Sequence, residues 1–196
     1  MAHLFSELQL DAMRELGNVG SGTAATALSS MIGLPVDIDI SRASAVSVGE
    51  AADSAGPPST LLTAIVLPIV GDLQALVMIL MSPATAQTVC ELLGVSVGDE
   101  MGDSALREVG NILGASYVRA LGTMIGAALE PQPPELVHNV LSTILATALP
   151  SAGEDEVALL LESTLTIDER ECSPSFVFIP SAGGLTDIFD RLGVSR

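Results

Sequence analysis

The sequence predicts an α/β domain of the α+β kind: a central, largely antiparallel sheet, two long helices against it, and an internal pseudo-twofold repeat. Three observations predict it. The chain has 196 residues, 48% of them apolar, which suits one buried core of ordinary size and is too apolar for disorder. Two helix-length segments, Asp11–Val36 and Ser104–Leu129, repeat one another at an offset of 93 residues. Each half also carries a pair of strand-length apolar runs of the hairpin kind.

The repeat is specific. Ala12/Ala105, Arg14/Arg107, Glu15/Glu108, Gly17/Gly110 and Asn18/Asn111 are identical, and so are Ala27/Ala120, Leu28/Leu121, Met31/Met124, Ile32/Ile125 and Gly33/Gly126. Ten identities over 26 positions exceed what an Ala/Leu/Gly-rich chain produces by chance. The chain therefore reads as one domain, 1–196, made of two similar halves of about 6–94 and 103–193.

The elements follow in order. Ser6 caps the first long helix, with Gln9 three residues on as its capping-box partner. Gly33 ends that helix, and Pro35 prevents its continuation. A strand spans Val36–Ile40 and resumes after a kink at Val46–Val48. Gly49–Thr60, rich in Ala, Ser, Gly and Pro, reads as a flexible loop. Leu62–Val70 and Leu73–Met81 form a hairpin about Gly71-Asp72, buried on both faces. A shorter helix, Pro83–Leu93, follows the cap Ser82. In the second half the long helix runs from about Asp103 to Gly126. Glu135–Leu149 reads as an additional helix without a counterpart in the first half. Glu156–Ile167 and Ser175–Ile179 make the second hairpin around the polar turn Asp168–Pro174, and Leu185–Leu192 closes the half as a short helix.

Composition removes several function classes. Seven arginines and no lysine stand against 24 carboxylates, for a net charge of −17. Such a chain has no means of neutralising a row of phosphates and no attraction to an anionic membrane. Leu61–Met81 is long enough to span a bilayer, but Pro68 and Gly71-Asp72 interrupt it and no basic residue flanks it. The first residues lack the basic region of a signal peptide. Cys90 and Cys172 match no metal spacing and no disulfide framework, so a cytoplasmic protein is expected.

The long helices carry the chemistry. At 100° per residue Asp11, Glu15 and Asn18 share one stripe, joined by Arg14, while Leu8, Ala12, Met13, Leu16 and Val19 are expected to point elsewhere. Ser104, Glu108 and Asn111 repeat the stripe, with Arg107 beside it. A solvated helix face needs no such repetition, and Asn is a poor helix former, so the stripes read as functional. Gly17 and Gly110 each weaken their helix by about 1 kcal/mol relative to Ala. Close packing on the sheet explains them, and the missing side chains would also leave room beside the two asparagines.

Other patterns carry less. Gly20-Ser-Gly-Thr-Ala-Ala25 fits a dinucleotide fingerprint but lies inside a helix with no strand before it. His3 and His138 are lone histidines, the second expected in an apolar helix and better read as packing than ligation. Cys90 reads as a small buried residue. Glu154, Asp155 and Glu156 read as a solvated loop edge.

Asp11-x-x-x-Glu15-x-x-Asn18 and Ser104-x-x-x-Glu108-x-x-Asn111, the second followed after twenty-two residues by Pro134, resemble the duplicated signature of the CheC family. That family, with the related CheX and FliY proteins, dephosphorylates the chemotaxis response regulator CheY. Leu16-Gly-Asn-Val-Gly-Ser-Gly-Thr-Ala-Ala-Thr-Ala-Leu-Ser29 and Val137-His-Asn-Val-Leu-Ser-Thr-Ile-Leu-Ala146 support the resemblance, which covers essentially the whole chain. The first copy departs from the pattern: Ser41 stands where the second has Pro134, a structural residue at the start of a strand.

The resemblance implies a hydrolase acting on an aspartyl phosphate of the response regulator. Asn18 and Asn111 would position the attacking water, as a carboxamide both accepts and donates. Glu15 and Glu108 would pair with the phosphate-contacting lysine of CheY. Asp11 and Ser104 head the motif as substrate-docking caps or rim contacts. No cofactor or metal of the protein's own is implied, because Mg²⁺ comes with the response regulator. The alternative is a non-catalytic adaptor or flagellar switch component that binds CheY or the receptor deamidase CheD, a role the extra helix Glu135–Leu149 would suit.

Overall fold

The computed structural model describes residues 6–148 and 157–194. The first long helix, α1 (Glu7–Ile32), begins with the expected reciprocal cap. The Ser6 hydroxyl accepts from the Gln9 backbone and the Gln9 side chain returns the bond to Ser6. It ends at Gly33, whose φ of 75° is the left-handed value that releases a helix.

The strand that follows, β1 (Val36–Ser47), is longer than expected and unbroken. Its register on β6 (Val157–Ile167) shifts between Ile40 and Arg42, so Ser41 is a bulge and the predicted kink is absorbed within the ladder. The predicted loop Gly49–Thr60 is instead mostly helix, α2 (Val48–Ala55). Ser47 and Glu50 form a second capping box there, and Val48 and Ala51 are buried, which outweighs the Gly and Ser content.

The hairpin β2 (Leu61–Gly71) and β3 (Ala75–Met81) matches its prediction, with β2 buried on both faces. Helix α3 (Pro83–Leu92) starts at the Ser82 cap. Helix α4 (Glu100–Ile125) begins before the expected Asp103, because Asp99 is the cap and its carboxylate accepts from Gly102 N at 2.6 Å.

After α4 the structure overturns the expected extra helix. Leu129–Pro131 forms β4, Glu135–Val140 forms β5, and only Leu141–Ala148 is helical, as α5. Leu149 lies outside the described residues. The reason is tertiary: β5 pairs with β2 from Leu61↔Val140 to Val66↔Glu135, and without it one side of that length of β2 would lack a ladder. The segment is also the counterpart of β1 and α2, so the second half holds no surplus helix among the described residues and that support for the adaptor alternative falls away. The second hairpin contains a further short strand, β7 (Arg170–Cys172), where only a polar turn was expected. Asp168 and Glu169 make its tight turn with φ of 47° and 66°. β8 (Ser175–Pro180) and α6 (Gly184–Arg191) complete the chain. Glu154–Glu156 and His3, read above as loop edge and packing, lie outside the described residues.

All strands join one antiparallel sheet ordered β1-β6-β8-β3-β2-β4, with β5 also on β2 and β7 also on β6. Its two edges have matching registers. Ser47↔Val157, Arg42↔Glu162 and Val36↔Ile167 on one edge correspond to Val140↔Leu61, Glu135↔Val66 and Leu129↔Gly71 on the other. Where β1 bulges at Ser41, the second edge breaks at Pro133-Pro134 into β4 and β5, because proline has no N–H for the ladder. The Ser41 hydroxyl instead donates to Glu162 O at 3.1 Å.

The sheet is covered on both faces. Ile65, Leu67, Val77 and Leu161 meet Leu16, Leu28, Leu106 and Val109 beneath the long helices. Leu62, Ala64, Met78 and Val177 meet α2 and α5 through Val48, Ala51, Leu141 and Ile144. The apolar run Leu61–Met81 is thus sheet interior, and among the described residues no helix is long and apolar enough to cross a membrane.

Candidate functional site

The glycines of the long helices set how they lie. A Cβ on Gly17 would come to 3.2 Å from Ile40 Cγ1 and 3.6 Å from Leu161 Cδ1. On Gly110 it would come to 2.5 Å from Ile65 Cγ2, and on Gly114 to 2.8 Å from Leu67 Cδ2. These glycines therefore face the sheet and permit close approach. The further idea, that they leave room beside the asparagines, is corrected: the space is filled by strand side chains. Gly20 meets Tyr117 where α1 and α4 pack together, and the Tyr117 hydroxyl lies 3.0 Å from Ser21 Oγ. This packing occupies the sequence that resembled a dinucleotide fingerprint.

With Gly17 and Gly110 turned to the sheet, Glu15 and Glu108 lie about 160° round their helices, on the solvent side. Both are exposed. Asn18 is exposed and Asn111 half-buried, so neither asparagine belongs to the core. Among the described residues none of these four side chains has a hydrogen-bond or ion-pair partner within the chain. Two Glu/Asn pairs thus reach the surface on equivalent faces of α1 and α4, with their donors and acceptors unused within the described chain.

The flanking residues differ between the copies. Asp11 pairs with Arg14 at 3.1 Å across one exposed turn. Ser104 takes the place of Asp11 in α4, so Arg107 lacks that partner. Neither Asp11 nor Ser104 caps its helix, as one of the two expected roles required; the caps are Ser6 and Asp99, and both motif heads sit inside the helix on its exposed side. Pro134 directly precedes β5, as a residue setting the start of a strand should.

Two features escaped sequence reasoning. Leu8 and Val19 were expected away from the stripe, yet both are exposed large apolar residues, and so is Met101, at the α4 position matching Leu8. The 93-residue offset was the signal that pairs Leu8 with Met101. The second feature is a polar link beside the second site. His138 stands on β5, not in a helix; its Nδ1 lies 2.9 Å from Thr63 Oγ1 and its Nε2 3.1 Å from Asp103 Oδ1. The equivalent residues beside the first site are Ala45, Leu159 and Leu10, so no repeat pattern announced it.

Away from the site, burial shifts three titratable groups. Burial pushes the Cys90 thiol up, with the Asp99 and Asp103 charges adding to it, and burial likewise raises Cys172 against the opposing charge of Arg170. Burial raises the Tyr117 phenol, with the Ser21 hydrogen bond acting the other way. Among the described residues no three His, Cys, Asp or Glu side chains gather into a group able to hold a metal ion.

Residues 8–41 and 101–138, the two stretches that carry the stripes, match the CheC-like family. The chain is 28% identical over 200 residues to a Bacillus subtilis protein named CheY-P phosphatase CheC, covering 96% of each. Its fold is similar to that of Thermotoga maritima FliY, with a TM-score of 0.79 at 17% identity over 98% of this chain and 100% of that one. It is also similar to the CheX–CheY–BeF3–Mg²⁺ complex from Borrelia burgdorferi, with a TM-score of 0.53 at 17% identity over 85% of this chain and 96% of the matched chain.

Proposed function

We propose that the chain is a CheC-like protein and that it hydrolyses the aspartyl phosphate of a CheY-type response regulator, with one site on α1 and one on α4. The observation that carries this reading is the duplicated, solvent-facing Glu/Asn pair without intramolecular partners. The B. subtilis relative, named a CheY-P phosphatase, supports the substrate. The similar CheX fold held in complex with CheY supports the partner.

The partner supplies an acyl phosphate and the Mg²⁺ that polarises it. Asn18 or Asn111 supplies orientation. Its carboxamide oxygen accepts from a water while its NH₂ donates towards a phosphoryl oxygen, setting the water in line with the scissile bond. Water oxygen bonds to phosphorus, the bond from phosphorus to the aspartyl oxygen breaks, and the products are inorganic phosphate and a free carboxylate. Glu15 or Glu108 pairs with the partner's lysine and sets the depth at which the asparagine enters. A helix is a suitable mount, because Glu and Asn three residues apart share a face at fixed separation. CheD would be a further partner of such a protein.

The test is the lifetime of phosphorylated response regulator with and without the protein. The wild type shortens it. Asn18→Ala and Asn111→Ala each retain part of the activity, and together they abolish it, since distant sites contribute independently. In the Asn18→Ala background, Asn111→Asp places negative charge beside the phosphoryl group and slows turnover by roughly 10²–10³-fold, about 3–4 kcal/mol. Full activity in Asn111→Asp would refute water positioning. A wild type that binds the response regulator without shortening the lifetime would make it an adaptor.

A further inference from the structure

We propose that Leu8 and Met101 are the apolar anchors on which the phosphorylated receiver domain seats, one at each site, and that they set affinity rather than chemistry. This rests on the phosphatase reading above and extends it to side chains outside the Glu/Asn motif. Leu8 and Met101 are the most exposed large apolar residues among those described, at 63% and 70%. They occupy the same place in the repeat, three residues before the motif heads Asp11 and Ser104. Single exposed hydrophobics are ordinary on a protein surface. The same exposed position filled twice by a long, flexible apolar side chain is not. Between each anchor and its motif the two copies have diverged, with Gln9 against Gly102 and Leu10 against Asp103.

Their direction is that of the site. At 100° per residue Leu8 lies about 20° from Glu15 and about 180° from Gly17, the residue turned to the sheet. The same angles relate Met101 to Glu108 and Gly110. One residue beyond each asparagine stands a second aliphatic side chain, exposed at Val19 and half-buried at Ile112. Each helix therefore presents an apolar, acidic, carboxamide and apolar sequence over about 16 Å of its length. An ion pair and an ordered water work best where bulk water is kept out, and apolar contacts at both ends of the stripe do that. The occupant this face fits is a receiver domain whose cation beside the phosphorylated residue is itself bordered by apolar surface. A second copy of this chain does not fit, because its own acidic stripe and net charge of −17 would oppose it.

The experiment uses glutamine, which keeps length and helix propensity while removing the apolar end. Leu8→Gln is made with Asn111→Ala, so that only the first site turns over, and Met101→Gln with Asn18→Ala, so that only the second does. Initial rates over a range of phosphorylated response regulator give kcat and KM. Affinity for the beryllofluoride- and Mg²⁺-loaded response regulator is measured on the double variant Leu8→Gln/Met101→Gln, since Asn→Ala silences turnover but leaves docking at that site intact. KM and Kd should rise about tenfold, equivalent to about 1.4 kcal/mol, with kcat unchanged within twofold. Met31→Gln serves as the control, an exposed residue at the far end of α1 and on another side of it, and should change neither value. KM within twofold of its parent for both single-anchor variants, or Kd within twofold of wild type for the double anchor variant, would overturn the proposal, as would a fall confined to kcat. A wild type that binds but does not hydrolyse would refute the phosphatase reading alone, and Kd would still decide the anchors. No binding by the wild type would refute both.

Discussion

Replacing Gly110 by alanine tests whether the second site is held where the packing of α4 places it. In helix propensity alone the change is favourable, by about 1 kcal/mol. The added Cβ, however, would lie 2.5 Å from Ile65 Cγ2, 2.6 Å from Cδ1 and 2.9 Å from Cβ. Rotating Ile65 gives little relief, since its Cβ is fixed to β2 and its β-branch is stiff. Ile65 is fully buried, so the clash must be relieved by lifting α4 from the sheet. Such overpacking costs about 1–3 kcal/mol, leaving a net loss of up to about 2 kcal/mol, or a fall in Tm of up to about 8 °C for a chain of this size. Gly17→Ala is the internal control. Its nearest contact is 3.2 Å, to the movable Cγ1 of Ile40, so propensity and crowding should nearly cancel. Thermal unfolding of both variants reads the stability. Phosphoryl lifetime in the Asn18→Ala and Asn111→Ala backgrounds reads the sites, with Gly110→Ala depressing its own site more than Gly17→Ala does. A Gly110→Ala protein as stable and active as Gly17→Ala would refute the close seating of α4 on Ile65.

Two further outcomes follow from the side chains around α4. His138→Ala should lower stability by about 1–2 kcal/mol, because it leaves the buried Thr63 hydroxyl without a partner, and adding Thr63→Val should recover much of that loss; thermal unfolding of the single and double variants checks it, and no recovery would refute it. Cys90 and Cys172 should resist a thiol reagent in the native protein at pH 8. Their folded pKa values are raised, so stability is intact below the unfolded thiol value of about 8.5 and is lost as pH rises past it. Urea midpoints that do not fall between pH 7 and pH 10 would contradict this.

Local chemistry made much of this protein legible. Ser6 with Gln9, Ser82, Gly33 and Gly126 mark helix ends because their capping geometry depends on neighbours a few residues away. The hairpin β2–β3 was readable for the same reason: two apolar runs and a Gly-Asp turn determine each other. The Glu/Asn stripes were visible because a helix turns spacing into a face, and the 93-residue repeat marked them as a pair. What tertiary structure decided depended on distant partners. Glu135–Val140 is apolar enough for helix or strand, and becomes β5 because β2 has an edge to pair. Val48–Ala55 becomes helix because its apolar side covers the sheet against Val177 and Leu160. His138 and Thr63 are 75 residues apart and meet only across that ladder. Leu8 and Val19 could not be separated from core residues by hydropathy, although the seven-residue spacing from Leu8 to Glu15 already puts Leu8 on the stripe. Only the side of the helix that the sheet occupies shows that this stripe is exposed. Capping, turns and helical stripes are short-range and were determined by the sequence itself; strand pairing and burial sum over contacts between remote segments, and only the assembled fold settles them.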